Sequence, residues 1–470
     1  MKQTKRIFPA LLAALMLALS AGCASESGQI PEPVVEAAPE EAAETVPSVT
    51  LAAEGKTNFR LVYDVDVPEE LRNVYFSIRD AFRSRFGAEL LPYDDYQKEL
   101  PCEIVLDSGR RELSASIRDE LKEGEYAIRA IRREDGGISV VLACRGTYAR
   151  LAVVDRFITE CIENRGGVIP EDFAYKGECS MKDAIITSTI PQLRDPCILV
   201  ENGTYYAYGT GWHCFKNTDG SLGGRFADLG LCVEVPEDAE TNFWAPEVHR
   251  YEGKYYMFTT YKSKKTGHRG CSIFVSDTPE GPFREITDGH ATPSDWDSID
   301  GTFYLDEDGT PWMIFVHEWT STDDGCGRMA AAKLSDDLTR FVTEPVELFR
   351  ADDPSWAANK VTDGCFMYRC STGELLMLWS NWDSAGYCVG IARSDNGKVD
   401  GKWSQDKALL YSKAMTGDYD GGHGMLFTDT DGQMYLSIHS PNGATDTRKE
   451  VPIFVPVKER DGTLVWDLSR

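Results

Sequence analysis

Positive charge is scarce in this chain. Lys and Arg number 49 against 76 Asp and Glu, a net of −27 at pH 7. Nucleic-acid binders need Lys and Arg to displace counterions from phosphate, so that class is excluded. Docking on anionic lipid by charge is excluded for the same reason, while a neutral or cationic partner stays open. Zinc-type spacing is missing too. The chain has 13 Cys and 7 His, but no Cys-x-x-Cys pair and no matching His spacing. Long apolar runs are also absent. Ile7–Leu19 is shorter than the ~20 residues that span a bilayer. What remains is an ordinary globular composition, 42% hydrophobic over 470 residues, long enough for two or three domains.

The first fifty residues carry no fold signal. Lys2, Lys5 and Arg6 precede the Ile7–Leu19 run, and Leu19-Ser20-Ala21-Gly22-Cys23 follows it. This is a secretory layout, with a leader over 1–22. It looks like a bacterial lipobox with the apolar residue one place early, which makes Cys23 the lipidated first residue of the mature chain. From 24 to 50 there are six Glu and no Lys, Arg or aromatic residue. Such a segment cannot bury enough apolar surface to offset its ordering entropy. Residues 23–55 therefore read as the lipidated Cys and an acidic flexible linker. The expected location is the outer face of a bacterial membrane, held by the lipid alone. The other twelve Cys include several inside apolar runs, such as Cys271 in Cys-Ser-Ile-Phe-Val, and read as small buried thiols. A few disulfides stay open.

Residues 56–178 alternate strand and helix signals. Phe59–Tyr63 and Glu103–Leu106 read as strands. Leu71, Val74, Ile78, Phe82 and Phe86 recur at spacings of three and four after Pro68, a helix closed by Gly87. Tyr126–Ile131 and Ile138–Ala143 flank Asp135-Gly136-Gly137 as a hairpin. Gly146-Thr147-Tyr148 opens a helix to about Glu163. The order predicts a two-layer α/β domain. Its layout resembles the small accessory domain that precedes the catalytic domain in several bacterial glycoside hydrolases. It shows no catalytic constellation.

From residue 183 the helical periods vanish and one unit repeats. A polar residue starts an apolar strand, a Gly turn follows, then an aromatic-rich strand. Copies begin at Asp195, Glu247, Asp300, Asp363 and His423, separated by 52, 53, 63 and 60 residues. A four-stranded blade with its loops needs about that length. Residues 183–470 are thus expected to form an all-β five-bladed β-propeller behind the small α/β domain. The first strand of each blade lines the channel, so Asp195, Glu247, Asp300, Asp363 and His423 are expected in register around one axis. Such a cluster of titratable groups in a cavity points to a site.

At these residues a family resemblance becomes specific. Arg194-Asp195-Pro196, Phe243-Trp244-Ala245-Pro246-Glu247-Val248, Ser276–Phe283, Ser298-Ile299-Asp300-Gly301-Thr302-Phe303, Val361-Thr362-Asp363-Gly364 and Gly422-His423-Gly424 occur in blade order. Together they resemble glycoside hydrolase family 43, the arabinofuranosidases, xylosidases and arabinanases. The resemblance implies an inverting hydrolase with three carboxylates. Asp195 matches the general base and Asp300 the residue that orients the acid and tunes its pKa. Asp363 falls at the general acid, although the family usually has Glu there, before Gly-Pro. Glu318, in Val316-His317-Glu318-Trp319, is the rival acid or a sugar-binding carboxylate. Substrate contacts are expected from Trp244, Glu247, Glu318, Trp319, Trp382 and Arg448, with Trp379 weaker. His423 would lie near an axial structural Ca²⁺, touching it through water, or be a hydrogen-bonded core His. No cofactor is required.

The expected substrate is a neutral glycan, α-L-arabinofuranosyl or β-D-xylosyl units in arabinan, xylan or arabinoxylan fragments. The chain is expected to act as a monomer. Two alternatives are kept. One is a non-catalytic glycan-binding propeller at the cell surface, favoured by Asp at 363. The other is a fructan-type five-bladed glycosidase, which wants Glu-Cys in blade four and a second Arg-Asp-Pro in blade three.

Overall fold

The computed structural model describes residues 47–469. The leader 1–22, Cys23 and most of the linker lie outside the described residues.

The α/β region is built on one six-stranded sheet. Its order is Leu91–Asp94, Arg60–Tyr63, Cys102–Leu106, Ile138–Cys144, Glu125–Arg132, Ala174–Glu178. The first four strands run parallel, and the fifth, Glu125–Arg132, is antiparallel to both of its neighbours. The helix Glu69–Phe86 buries Leu71, Tyr75, Ile78, Ala81 and Phe82 on one face and ends at Gly87 in the left-handed region, φ +63°. The helix opened by Gly146 runs Thr147–Phe157 and continues as a π-helical turn, Ile158–Glu163.

One boundary differs from the sequence reading. Ser48–Thr50 pairs with Val168–Pro170, and Leu51 is fully buried, so residues 48–55 belong to this region and not to the tether. Val49 and Leu51 alternate over too few residues to register as a period.

Residues beyond 183 form five four-stranded antiparallel blades. Their innermost strands are Cys197–Glu201, Ala239–Tyr251, Ser298–Leu305, Asp363–Arg369 and Gly422–Thr428. The ring closes where Ile186–Thr187, ahead of blade one, pairs with Phe454 and Ile453 of blade five. Hydrophobic clusters fill the seams between blades. Trp212 and Trp379 are fully buried there. Burying the ~150–250 Å² of a Trp at ~25 cal/mol per Å² stabilises by about 4–6 kcal/mol. Trp379 is therefore seam packing and not a sugar platform: its Nε1 donates to Gln405 at 3.0 Å, and Trp356 and Phe349 pack on its ring.

The seam between blades four and five merges with the core of the α/β region into one cluster, from Phe82 and Phe157 to Leu376, Leu436 and Trp466. A buried ion network ties the same parts. Asp155 Oδ1 lies 2.8 Å from Arg460 Nη1 and 3.1 Å from Lys458 Nζ, with Asp155 and Arg460 side chains 7% and 6% exposed. Asp155→Ala removes one of two carboxylates from the buried Arg460 guanidinium, leaving Glu163 at 2.9 Å, and is expected to lower the unfolding free energy by about 1–3 kcal/mol. Chemical denaturation checks this. Arg129→Ala, at the exposed pair with Glu120, serves as control and should cost less than ~1 kcal/mol.

The twelve Cys of the described residues are free thiols, all buried except the half-buried Cys102. No helix among the described residues is long and apolar enough to cross a membrane.

Candidate active site

Each inner strand of blades two to five carries a one-residue bulge near the start of its regular pairing. The pairing jumps between Trp244 and Glu247, Ile299 and Thr302, Asp363 and Phe366, and Gly422 and Met425. Within each bulge one residue has positive φ: Ala245, Asp300, Gly364 and His423, matched in blade one by Asp195. For a non-glycine residue that conformation costs about 1 kcal/mol or more and marks a place where the chain is bent to aim a side chain.

The ring in register is therefore Asp195, Ala245, Asp300, Gly364 and His423. This corrects the expected ring at two blades. Glu247 lies two residues deeper and Asp363 one residue earlier, because a bulge inserts a residue that a repeat pattern does not show. Gly364 has to be glycine. Its φ is +42°, and a Cβ there would come within 2.7 Å of His423 Cγ.

A repeated latch holds the ring. The residue opposite the pre-bulge position, on the second strand of one blade, accepts the bulge N–H of the next. Ala245 N donates to Thr210 Oγ1 (3.2 Å), Asp300 N to Thr260 Oγ1 (3.0 Å), His423 N to Ser380 Oγ (2.8 Å) and Asp195 N to His439 Nδ1 (3.3 Å). In blade three the matching residue is Val316, which has no acceptor. Gly364 N donates instead to the Asp300 carboxylate, Oδ2 at 2.8 Å, and this anchors Asp300. Thr210, Thr260, Ser380 and His439 were not found from sequence. Nothing distinguishes them until the blades are in register.

The carboxylates sit in different fields. Burial pushes Asp195 up, but the His423 and His439 imidazoles, the Arg194 guanidinium and the Thr210 hydroxyl outweigh it and hold its carboxyl below the usual value. Its Oδ1 lies 3.4 Å from His423 Nδ1 and 3.3 Å from His439 Nδ1, and Thr210 donates to Oδ2 at 2.5 Å. Burial lowers the pKa of His439. The His439 ring accepts the Asp195 N–H on Nδ1 and pairs with Asn442 Oδ1 through Nε2, 3.2 Å. Asp300 is raised, by burial first and then by Asp195, with His423 and the Gly364 N–H opposing.

Asp363 is raised furthest. Burial, then Asp300, Asp195 and Glu318 all push it up, and only the Tyr387 hydroxyl, 3.2 Å from Oδ2, works against them. It keeps partial exposure to solvent. Glu318 is also raised by burial, with Asp297 and Asp300 adding to it, but Arg269 Nε donates to its Oε2 at 2.6 Å and opposes the shift.

The other expected residues divide. Trp244, Trp319 and Trp382 are half-buried, and Arg269 reaches over Trp244 at 5.9 Å. Trp382 packs on Tyr387 at 4.5 Å. Glu247 is buried away from the ring, accepting from Thr302 Oγ1 at 2.6 Å beside His249 Nε2 at 2.6 Å. Arg448 stacks on Tyr419 at 4.9 Å; the guanidinium that acts on Asp195 is that of Arg194.

Ca²⁺ takes about 6–8 oxygen ligands. His423 Nδ1 faces two carboxylates, and among the described residues no three His, Cys, Asp or Glu side chains converge as a metal site. This donor set does not fit a directly ligated cation.

A propeller with converging carboxylates driven to opposite sides of their usual pKa is the architecture of an acid–base hydrolase. Residues 186–464 match the model for Glycosyl hydrolases family 43, and the chain belongs to that family of glycosidases. It is 23% identical over 262 residues to a probable arabinan endo-1,5-alpha-L-arabinosidase C of Aspergillus niger, spanning 52% of this chain and 74% of that one. It is 27% identical over 174 residues to xylosidase/arabinosidase 43A of Humicola insolens, spanning 32% of this chain and 52% of that one. Among solved structures it is similar to an endo-arabinase from Bacteroides thetaiotaomicron, at 36% identity and a TM-score of 0.52, covering 59% of this chain and 99% of that one. Family membership favours hydrolysis over the non-catalytic and fructan-type alternatives.

Proposed function

We propose that the propeller hydrolyses α-L-arabinofuranosyl or β-D-xylosyl linkages of plant cell-wall glycans with inversion at the anomeric carbon. The observation that carries this is the opposite displacement of two carboxyls in one cluster, Asp195 downward and Asp363 upward. Asp195, ionised, takes a proton from water as that water attacks. Asp363, protonated, donates to the glycosidic oxygen as the bond to carbon breaks. Asp300 keeps Asp363 protonated by its charge and holds the Gly364 backbone next to it. Inversion requires base and acid about 6.5–9.5 Å apart with room for a water. Residues on different blades suit that separation. The names of the Aspergillus and Bacteroides relatives support arabinan as the first substrate to try. No step uses a metal ion.

The test is a panel of arabinan, xylan and arabinoxylan fragments with product configuration followed by NMR. Initial products of inverted configuration are expected, and retention would overturn the mechanism. The same assay should give a bell-shaped pH profile. Activity rises as Asp195 deprotonates, below the usual Asp value of ~3.9, and falls only as Asp363 loses its proton, well above it. The two limbs belong to the coupled cluster.

A further inference from the structure

Tyr387 opens the third strand of blade four, Tyr387–Ser394, and is 2% exposed. A buried phenol without a partner costs about 1–3 kcal/mol. Among the described residues its hydroxyl makes one hydrogen bond, donated to Asp363 Oδ2 at 3.2 Å. The residue has little freedom to move. Its N–H donates to Asp420 Oδ2 at 3.1 Å, and its C=O accepts from Gly421 N at 3.0 Å. Its ring lies 4.5 Å from Trp382 and 5.6 Å from His439. A Cβ on Gly422 would come within 2.5 Å of that ring, so glycine there makes room for it.

We propose that Tyr387 is the positioning residue of the acid, choosing which oxygen of Asp363 carries the transferable proton. This rests on Asp363 being the acid. A protonated carboxyl has one O–H. With Tyr387 donating to Oδ2, that oxygen is an acceptor and the proton resides on Oδ1. In the reaction the Oδ1–H bond breaks as the glycosidic oxygen gains the proton. The C–O bond breaks with its electron pair going to that oxygen, water forms the new bond to carbon, and the water's proton goes to Asp195. Asp363 thereby becomes charged beside Asp300 and Glu318. The Tyr387 hydrogen bond then becomes charge-assisted and strengthens as that charge develops, which is when it aids the rate.

The experiment compares Tyr387→Phe with wild type in the full chain. The substrates are α-1,5-arabinotriose and 4-nitrophenyl α-L-arabinofuranoside, or their xylosyl counterparts if the panel selects xylose. The 4-nitrophenol leaving group needs little protonation, whereas the sugar needs it fully. Expected is a loss of about 10–100-fold in kcat on the trisaccharide, KM unchanged within about twofold, and a loss under ~3-fold on the aryl glycoside. Phe keeps the ring and its packing, and an unchanged thermal midpoint confirms the fold. Equal losses on both substrates, or no loss on either, overturn the proposal. Asp363→Asn on the same pair separates the two readings. If Asp363→Asn shows the leaving-group dependence and Tyr387→Phe does not, only the role of Tyr387 fails. If Asp363→Asn shows none, the acid assignment fails.

Discussion

Asp195→Asn is expected to lower kcat on arabinan or xylan fragments by on the order of 10³-fold, with KM close to wild type. Asn is nearly isosteric with Asp and still accepts the Thr210 hydroxyl, but it cannot take a proton from water. The substitution is also a clean one for the backbone. Asp195 has φ +54°, and Asn tolerates the left-handed region as well as Asp does. Asp195→Ala would confound lost chemistry with backbone strain. The Asp195 charge helps raise Asp300 and Asp363, so without it the alkaline limb of any residual activity should move to lower pH. Steady-state kinetics with a thermal midpoint for each variant checks all of this. Activity within tenfold of wild type would remove Asp195 from the base role.

The second large effect decides between two acids. Asp363→Asn is expected to reduce kcat on an unactivated glycan by about 10²–10⁴-fold, and Glu318→Gln by about tenfold or less. Both carboxyls are raised, but their partners differ. Asp363 has carboxylates on its sides and a phenol as its hydrogen-bond donor. Glu318 shares its Oε2 with the Arg269 guanidinium, which favours the ionised form. Glu318→Gln loosens Arg269, which also pairs with Asp297 at 3.3 Å and reaches over Trp244, so its effect should fall on KM. The reverse ranking, with Glu318→Gln inactive on unactivated glycans and Asp363→Asn active, would transfer the acid role to Glu318. The shorter Asp stem at the family's usual Glu position makes the measurement informative in either direction.

Local signals determined a good deal here. The helix after Pro68, the hairpin around Asp135-Gly136-Gly137 and the five blade repeats depend on spacings of two to four residues and on turn residues, and those are written in neighbouring positions. The recurrence of the blade unit brought out Asp195, Glu247, Asp300, Asp363 and His423 as a set, with the family motifs around them. The charge deficit excluded nucleic acid without reference to any fold. Tertiary structure decided the rest. The register of the ring depends on bulges, so Glu247 reads as a ring member from sequence and lies two residues below it in the blade. Trp244 and Trp379 are alike as letters; one is half-buried with Arg269 over it, and the other is sealed in a seam. The latches from Thr210, Thr260, Ser380 and His439 exist only once adjacent blades meet. The separation of Asp195 from Asp363 in proton affinity has the same origin. Each carboxyl is set by groups from other blades, His423 and His439 for one, Asp195, Asp300 and Glu318 for the other. No pattern along the chain can encode a field made by side chains that closure of the ring brings together.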